Sequence, residues 1–372
     1  MVAQRLTGEV VGSVALENCP QPQCQPTALA LDRTRQRAYV TRLDADAVAV
    51  LDLAAGASIT SIAVGDGPSA AALSPDGSRL YVANLSSDNV SVIDTSSLSV
   101  VDTITVGGGP RGVAILPDAS RAFVANSDDD TLSVIRLADG EVIDTIAVGD
   151  SPAGVAASPD GSRLYVSNQR GASVSVVDLG ATPAVRTIPV GNGPRAIAFT
   201  PNGGEALVTN TLAGSVTPID VGAETAGSAI PVGASLGSGP VAVVVAADGL
   251  TAYVANLSEN SISTIDIASG ATTTGGAPGA PFDLALGACL DAAPTPTATA
   301  TATATPVVSP DCIGDCGGDG TVTVSDMIQG VNIALGNAPL STCSAFDADG
   351  DGAVGVNELI AAVNAVLNGC PS

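Results

Sequence analysis

The chain has 372 residues, and its 37 carboxylates against 13 basic residues, all of them arginine, leave a formal net charge of -24. This balance argues against nucleic acid or an anionic membrane surface as a partner, because binding either one requires a basic face. Lysine, histidine and tryptophan do not occur, which removes the amine of Schiff-base enzymes and the most common general base.

The N-terminal sequence MVAQRLTGEVVGSVAL carries charges where a signal peptide requires an unbroken apolar stretch. No run of 18 apolar residues occurs, so no transmembrane segment is predicted. We nevertheless expect a secreted, periplasmic or cell-surface protein whose natural reading frame starts upstream and encodes a signal peptide. The cysteine distribution is the reason, because four of seven cysteines lie close together near the C-terminus, as in small disulfide-bonded domains.

The cysteines stand at positions 19, 24, 289, 312, 316, 343 and 370. Cys19 and Cys24 share one loop and are predicted to pair. Cys289 is predicted to be free or bonded to a residue upstream of the chain. The four C-terminal cysteines allow three pairings, among which the sequence does not choose.

A repeat of about 42 residues dominates the first 290 positions. Prolines open similar segments at positions 26, 68, 110, 152, 194, 240 and 281. Within residues 67–107, four short β-rich runs are separated by turn residues, among them Pro75-Asp76-Gly77. The first run is mostly alanine, which suits an innermost strand. A four-stranded sheet of this size cannot bury both of its faces alone, so neighbouring sheets must stack as the blades of a propeller.

The second runs, Leu80–Asn84, Leu164–Asn168 and Ala252–Asn256, contain the sequence Tyr-Val-Ala/Ser-Asn. They resemble the YVTN repeat of bacterial and archaeal surface-layer-type propellers. Residues 123–126 and 207–210 fit more loosely, and blade one departs with Tyr39-Val-Thr-Arg42. The resemblance implies a propeller displayed outside the cytoplasm, and such propellers serve several unrelated tasks.

Six complete blades are predicted from Pro26 to about Thr274, and a seventh is predicted to be composite. Residues 281–287 would supply its inner strand, and residues 2–4 and 8–16 its third and fourth strands. It lacks a second strand, which we expect upstream. The predicted fold is therefore all-β over residues 1–291, a seven-bladed β-propeller with six full blades and one truncated composite blade.

Residues 292–310, AAPTPTATATATATPVVSP, contain no charge and no aromatic side chain, and they predict an extended linker. Residues 311–372 predict a small α-helical module with two calcium loops of the EF-hand type, Asp315–Asp326 and Asp347–Glu358, each followed by an amphipathic helix. The predicted oxygen ligands are Asp315, Asp319, Thr321, Thr323 and Asp326 in the first loop, and Asp347, Asp349, Asp351, Ala353 and Glu358 in the second.

Paired loop-and-helix halves over residues 311–370 resemble the dockerin module, which implies Ca²⁺ as the cofactor and a cohesin-like domain as a partner. The loop positions that select the partner in that family hold Val324, Ser325, Val356 and Asn357 rather than its common Ser/Thr pairs. The alternative is that the metal serves only to fold the module.

Two arginines interrupt the repeat in the propeller. Arg111 and Arg195 directly follow opening prolines and are predicted near one mouth of the central channel, where they are candidate contacts for an anionic ligand or, alternatively, partners of nearby carboxylates. Aspartates that recur after the third run and asparagines that recur after the second are interpreted as turn caps rather than catalytic groups.

Together these features predict a binding or scaffold protein whose propeller presents loops to a protein or glycan and whose C-terminal module binds calcium. The alternative is a propeller enzyme, such as a lactonase, a hydrolase or a quinoprotein-like oxidoreductase. A repeat-breaking cluster of buried carboxylates at the channel mouth would favour the enzyme.

Overall fold

The computed structural model describes residues 2–4, 10–13, 26–180, 183–233, 239–277 and 281–285. The chain divides into two compact units, residues 1–290 and 291–372, and everything described belongs to the first. Within that part of the chain, no helix is long and apolar enough to cross a membrane.

Six antiparallel sheets follow one another along the chain, each made from one repeat. Two short strands precede them, β1 (Val2–Gln4) and β2 (Val10–Ser13). Blade 1 comprises β3 (Pro26–Asp32), β4 (Arg37–Arg42), β5 (Ala47–Asp52) and β6 (Ala57–Ala63). Blade 2 comprises β7 (Pro68–Leu73), β8 (Arg79–Asn84), β9 (Asn89–Asp94) and β10 (Ser99–Thr105). Blade 3 comprises β11 (Pro110–Ile115), β12 (Arg121–Asn126), β13 (Thr131–Arg136) and β14 (Val142–Ala147).

The second half of the propeller repeats this order. Blade 4 comprises β15 (Pro152–Ala157), β16 (Arg163–Asn168), β17 (Ser173–Asp178) and β18 (Ala184–Pro189). Blade 5 comprises β19 (Pro194–Phe199), β20 (Glu205–Asn210), β21 (Ser215–Asp220), β22 (Thr225–Ala226) and β23 (Ile230–Pro231). Blade 6 comprises β24 (Pro240–Val245), β25 (Thr251–Asn256), a 3₁₀ turn (Leu257–Glu259), β26 (Ser261–Asp266) and β27 (Thr272–Gly276).

Blade 5 is irregular because Pro218 lies in its third strand. Proline has no N–H to donate to the neighbouring strand, and the fourth strand is split there into β22 and β23, both paired with β21. The carbonyl of Pro218 still accepts a hydrogen bond from Gly227 N at 2.8 Å. This irregular segment lies where the sequence repeat lengthens before Pro240.

The hydrophobic core lies between the blades. One cluster joins Tyr39 and Val50 of blade 1 to Leu80, Val82 and Ile93 of blade 2, and equivalent clusters join each later pair up to blades 5 and 6. The inner strands β3, β7, β11, β15, β19 and β24 contact one another in this order. Stacking of this kind is what the alternating apolar pattern predicts, because each small sheet needs a neighbour on both faces.

Hydroxyl groups join adjacent inner strands at one end of the propeller. Thr27 Oγ1 donates to Pro68 O at 2.6 Å, and Ser69 Oγ donates to Pro110 O at 2.8 Å. We call this end the proline face. It comprises the six opening prolines and the turns between second and third strands, at residues 43–46, 85–88, 127–130, 169–172, 211–214 and 257–260.

The prediction of seven blades is wrong for the part of the chain that the structure describes, where six blades are present. Residues 281–285 form no strand, and β1 and β2 pair only with each other. The physical reason is that residues 281–285 have no neighbouring strand among the described residues with which to form a ladder. The predicted α-helical module lies outside the described residues.

Candidate binding site at the channel mouth

Every inner strand has an irregularity just after its opening proline. The pairing register shifts there in all six blades, as at a β-bulge. In blade 3, Pro110 and Gly112 are paired but Arg111 is not, and in blade 5 Arg195 is likewise left out of the ladder. A bulge re-aims the side chain of the extra residue. The structure thus places both predicted arginines on the proline face, two blades apart.

Arg111 is exposed and is held by neutral groups. Its Nε donates to Ser127 Oγ at 3.2 Å, and its Nη1 approaches Gln169 Oε1, in the next blade, at 3.4 Å. These two contacts leave further N–H groups of the guanidinium free to bind. Among the residues described, no carboxylate lies within ion-pair distance of Arg111. The alternative of a carboxylate partner therefore finds no support in this part of the chain.

Arg195 is half-buried, and no described carboxylate lies within ion-pair distance of it either. Burial lowers the pKa of its guanidinium, and the positive charge of Arg111 lowers it further, whereas Asp283 raises it. The two arginines are thus close enough to repel each other. An anion placed between them would relieve this repulsion.

Asp283 lies where the chain returns to blade 1 after blade 6. Its Oδ2 accepts a hydrogen bond from Leu29 N at 2.7 Å, and its Oδ1 accepts one from Leu284 N at 2.8 Å. Burial raises the pKa of this carboxyl to about 6, although both hydrogen bonds and the charge of Arg195 lower it. Asp283 thus joins the last described segment to the first inner strand, and it becomes protonated at a higher pH than an ordinary carboxyl.

Sequence reasoning missed Asp283 and Arg170, although the repeat itself signals both. The position of Asp283, two residues after the proline, is alanine or glycine in all six blades. At Gly154, in that position, an added Cβ would lie 2.0 Å from Arg195 O of the next blade. Arg170, exposed in the turn of blade 4, occupies a position that is Asp, Ser or Leu in the other blades.

The recurrent polar residues have structural roles, but not all are the predicted ones. Asp94 Oδ1 accepts hydrogen bonds from Ser96 N and Ser97 N, as a turn cap does, and Asp94 also pairs with Arg79. Asp178 pairs with Arg163 and Arg186.

The recurrent asparagines do not cap turns. Each is fully buried, and its Nδ2 donates to two polar side chains of the third strand. These are Asn84, Asn126, Asn168, Asn210 and Asn256.

The ten predicted calcium ligands and all seven cysteines lie outside the described residues. Within the described part of the chain, no group of three or more metal-ligating side chains occurs. Calcium binding and the disulfides therefore stay predictions.

Comparisons with known proteins support the propeller fold but do not indicate which ligand it binds. Residues 26–163 match the family model described as a YNCE-like beta-propeller. A solved structure of hydrazine synthase from Kuenenia stuttgartiensis is similar with a TM-score of 0.60 and 23% identity, over 73% of this chain and 87% of that chain. Virginiamycin B lyase from Staphylococcus aureus is similar with a TM-score of 0.61 and 11% identity, over 70% of this chain and 87% of that chain. No curated protein matches the sequence. These likenesses show an all-β propeller, the fold that the repeat predicts.

Proposed function

We propose that this chain is a binding or scaffold protein, displayed outside the cytoplasm, whose propeller presents the proline face to a protein or glycan. The observation that carries the proposal is the kind of residue that breaks the repeat there. Arg111, Gln169, Arg170 and Arg195 are contact-forming side chains on a rigid frame, and they come from three successive blades. Only one described carboxyl beside them, that of half-buried Asp283, has a raised pKa.

The two faces of the propeller can be compared through two exposed leucines. Leu212 is 74% exposed in a turn of the proline face, and Leu250 is 62% exposed in a turn at the opposite end. An exposed leucine beside polar contact groups suits the core of a protein or glycan contact. The two residues therefore form a matched pair for testing which face binds.

The test measures saturable binding of the labelled full-length chain to protein and polysaccharide fractions of the source organism's cell envelope. We expect L212S to weaken binding at least about fivefold, since an apolar contact of roughly 1 kcal/mol is lost, and L250S to leave it unchanged. Equal weakening by both variants, or no saturable binding to either fraction, would overturn the proposal.

We propose further that the C-terminal module binds Ca²⁺, folds around it and docks to a cohesin-like partner. The donor set supports this, because Asp347, Asp349, Asp351 and Glu358 supply hard oxygen ligands at the EF-hand spacing, with Gly352 at the turn. Calcium titration of the full chain, followed by calorimetry, tests the metal. We expect E358Q to remove one binding event, while D291N, which neutralises a carboxylate in front of the linker, serves as control. Two intact binding events in E358Q would contradict the assignment.

A propeller enzyme is the second candidate, and Asp283 is the observation that favours it. A carboxyl with a pKa of about 6 that senses the charge of Arg195 is suited to accept a proton from a substrate bound as an anion. Hydrolysis of a panel of lactones and esters by wild type, but not by D283N, would support this candidate. Absence of turnover with every substrate in the panel would leave the binding role as the better account.

A further inference from the structure

We propose that Arg111, Arg170 and Arg195 together form a binding site for an oxyanion, that is, a carboxylate or phosphate group of the ligand. The proposal rests on the proposed binding function and specifies the chemistry of what the proline face holds. Arg111 and Arg195 belong to the inner strands of blades 3 and 5, and Arg170 to the turn of blade 4 between them.

These three arginines differ from most of the other arginines that the structure describes. Seven of the other nine described arginines pair with a carboxylate, donate to a backbone carbonyl or stack on an aromatic ring. Examples are Arg79 with Asp94, Arg136 with Asp139 and Glu141, Arg163 and Arg186 with Asp178 and Glu224, Arg37 with Thr95 O, and Arg121 over Phe123. In a chain of net charge -24, carboxylates are plentiful. Three neighbouring arginines without a described carboxylate within ion-pair distance therefore stand out.

Without a ligand, this arrangement of arginines costs free energy of folding. Arg195 is desolvated, and it experiences the like charge of Arg111. Both effects disfavour the folded state, and a bound anion would reverse both of them. Only the charge of Asp283 opposes these two effects on Arg195. Like charges held close together in this way are typical of functional rather than stabilising groups.

The residue between the two arginines around the ring is small, and the groups that hold Arg111 are neutral. Ala153, at the equivalent position of blade 4, has only a methyl side chain and offers no polar group that competes with a ligand. Arg111 is oriented by Ser127 and Gln169, both neutral. A planar guanidinium held in this way presents parallel N–H groups that match the two oxygens of a carboxylate or phosphate. A neutral sugar offers no charge to these groups, so the site selects acidic ligands.

The experiment uses the full-length chain and calorimetric titration with sodium phosphate, sodium glucuronate and glucose. We expect wild type to bind phosphate or glucuronate and not glucose, and the stronger of the two identifies phosphate or carboxylate as the natural group. R111A and R170A, both at exposed positions, should weaken binding about tenfold or more, the usual loss for a charge-assisted hydrogen bond. R195K should also weaken anion binding, because lysine keeps the positive charge but lacks the planar pair of N–H donors of a guanidinium group.

R136A is the matched control, because it removes the same charge from an exposed ion pair away from the proline face. Circular dichroism checks that each variant is folded. If R136A weakens binding as much as R111A, or if the folded wild type binds neither anion, the oxyanion site is wrong. The envelope-binding test with L212S can still succeed in that case, so failure of this inference is distinguishable from failure of the proposed function.

Discussion

Replacing Asp283 by asparagine should change how the stability of the propeller depends on pH. The carboxyl is held between Leu29 N and Leu284 N, and burial raises its pKa from 3.8 to about 6. A rise of this size corresponds to about 3 kcal/mol of stability that depends on protonation. Because the pKa is higher in the folded state, this stability is fully present below pH 3.8 and is lost as the pH rises through about 6.

Asparagine cannot ionise, so D283N should lack this loss. The variant also loses one of the two hydrogen bonds, because its amide nitrogen cannot accept from a backbone N–H, and this lowers stability at every pH by about 1 kcal/mol. The prediction therefore concerns how the free energy of unfolding changes with pH, and not its value at any one pH. Relative to wild type, D283N should gain up to about 3 kcal/mol between pH 4 and pH 7.5.

Urea unfolding followed by circular dichroism at several pH values measures the difference between the two proteins. D144N, which neutralises an exposed carboxylate on the outer strand of blade 3, controls for the loss of one negative charge. Parallel stability curves for wild type and D283N would refute the reasoning, since they would mean that Asp283 has the same pKa in the folded and unfolded chain.

Two further substitutions test the interior of the blades. N168A should destabilise the protein by about 2 kcal/mol, because it removes two hydrogen bonds to buried hydroxyls of the third strand. A loss of stability below about 0.5 kcal/mol in thermal or urea unfolding would contradict this prediction. G154A should destabilise blades 4 and 5 by more than about 2 kcal/mol, because its Cβ would lie 2.0 Å from Arg195 O. G180A, where an added Cβ meets nothing within 4 Å, should stay within about 0.5 kcal/mol of wild type in the same measurement.

Much of the fold could be predicted because it is local in the sequence. The turn Pro75-Asp76-Gly77 was readable from residue types alone, and Gly77 has the positive φ that such a turn needs, +70°. The alanine-rich first runs indicated inner strands, where neighbouring backbones approach closely. The positions of Arg111 and Arg195 on one face followed from their place after the opening proline, which every blade shares.

The sequence by itself determined the period, the strands and the face on which each turn lies, since residues less than one repeat apart decide these features. Only the tertiary structure decided that Asp283 meets Leu29, 254 residues away, and that no described carboxylate forms an ion pair with Arg111 or Arg195. The number of blades was also misjudged from the sequence. A blade exists only if each segment finds a neighbouring strand with which to form hydrogen bonds, and periodicity alone does not supply that partner.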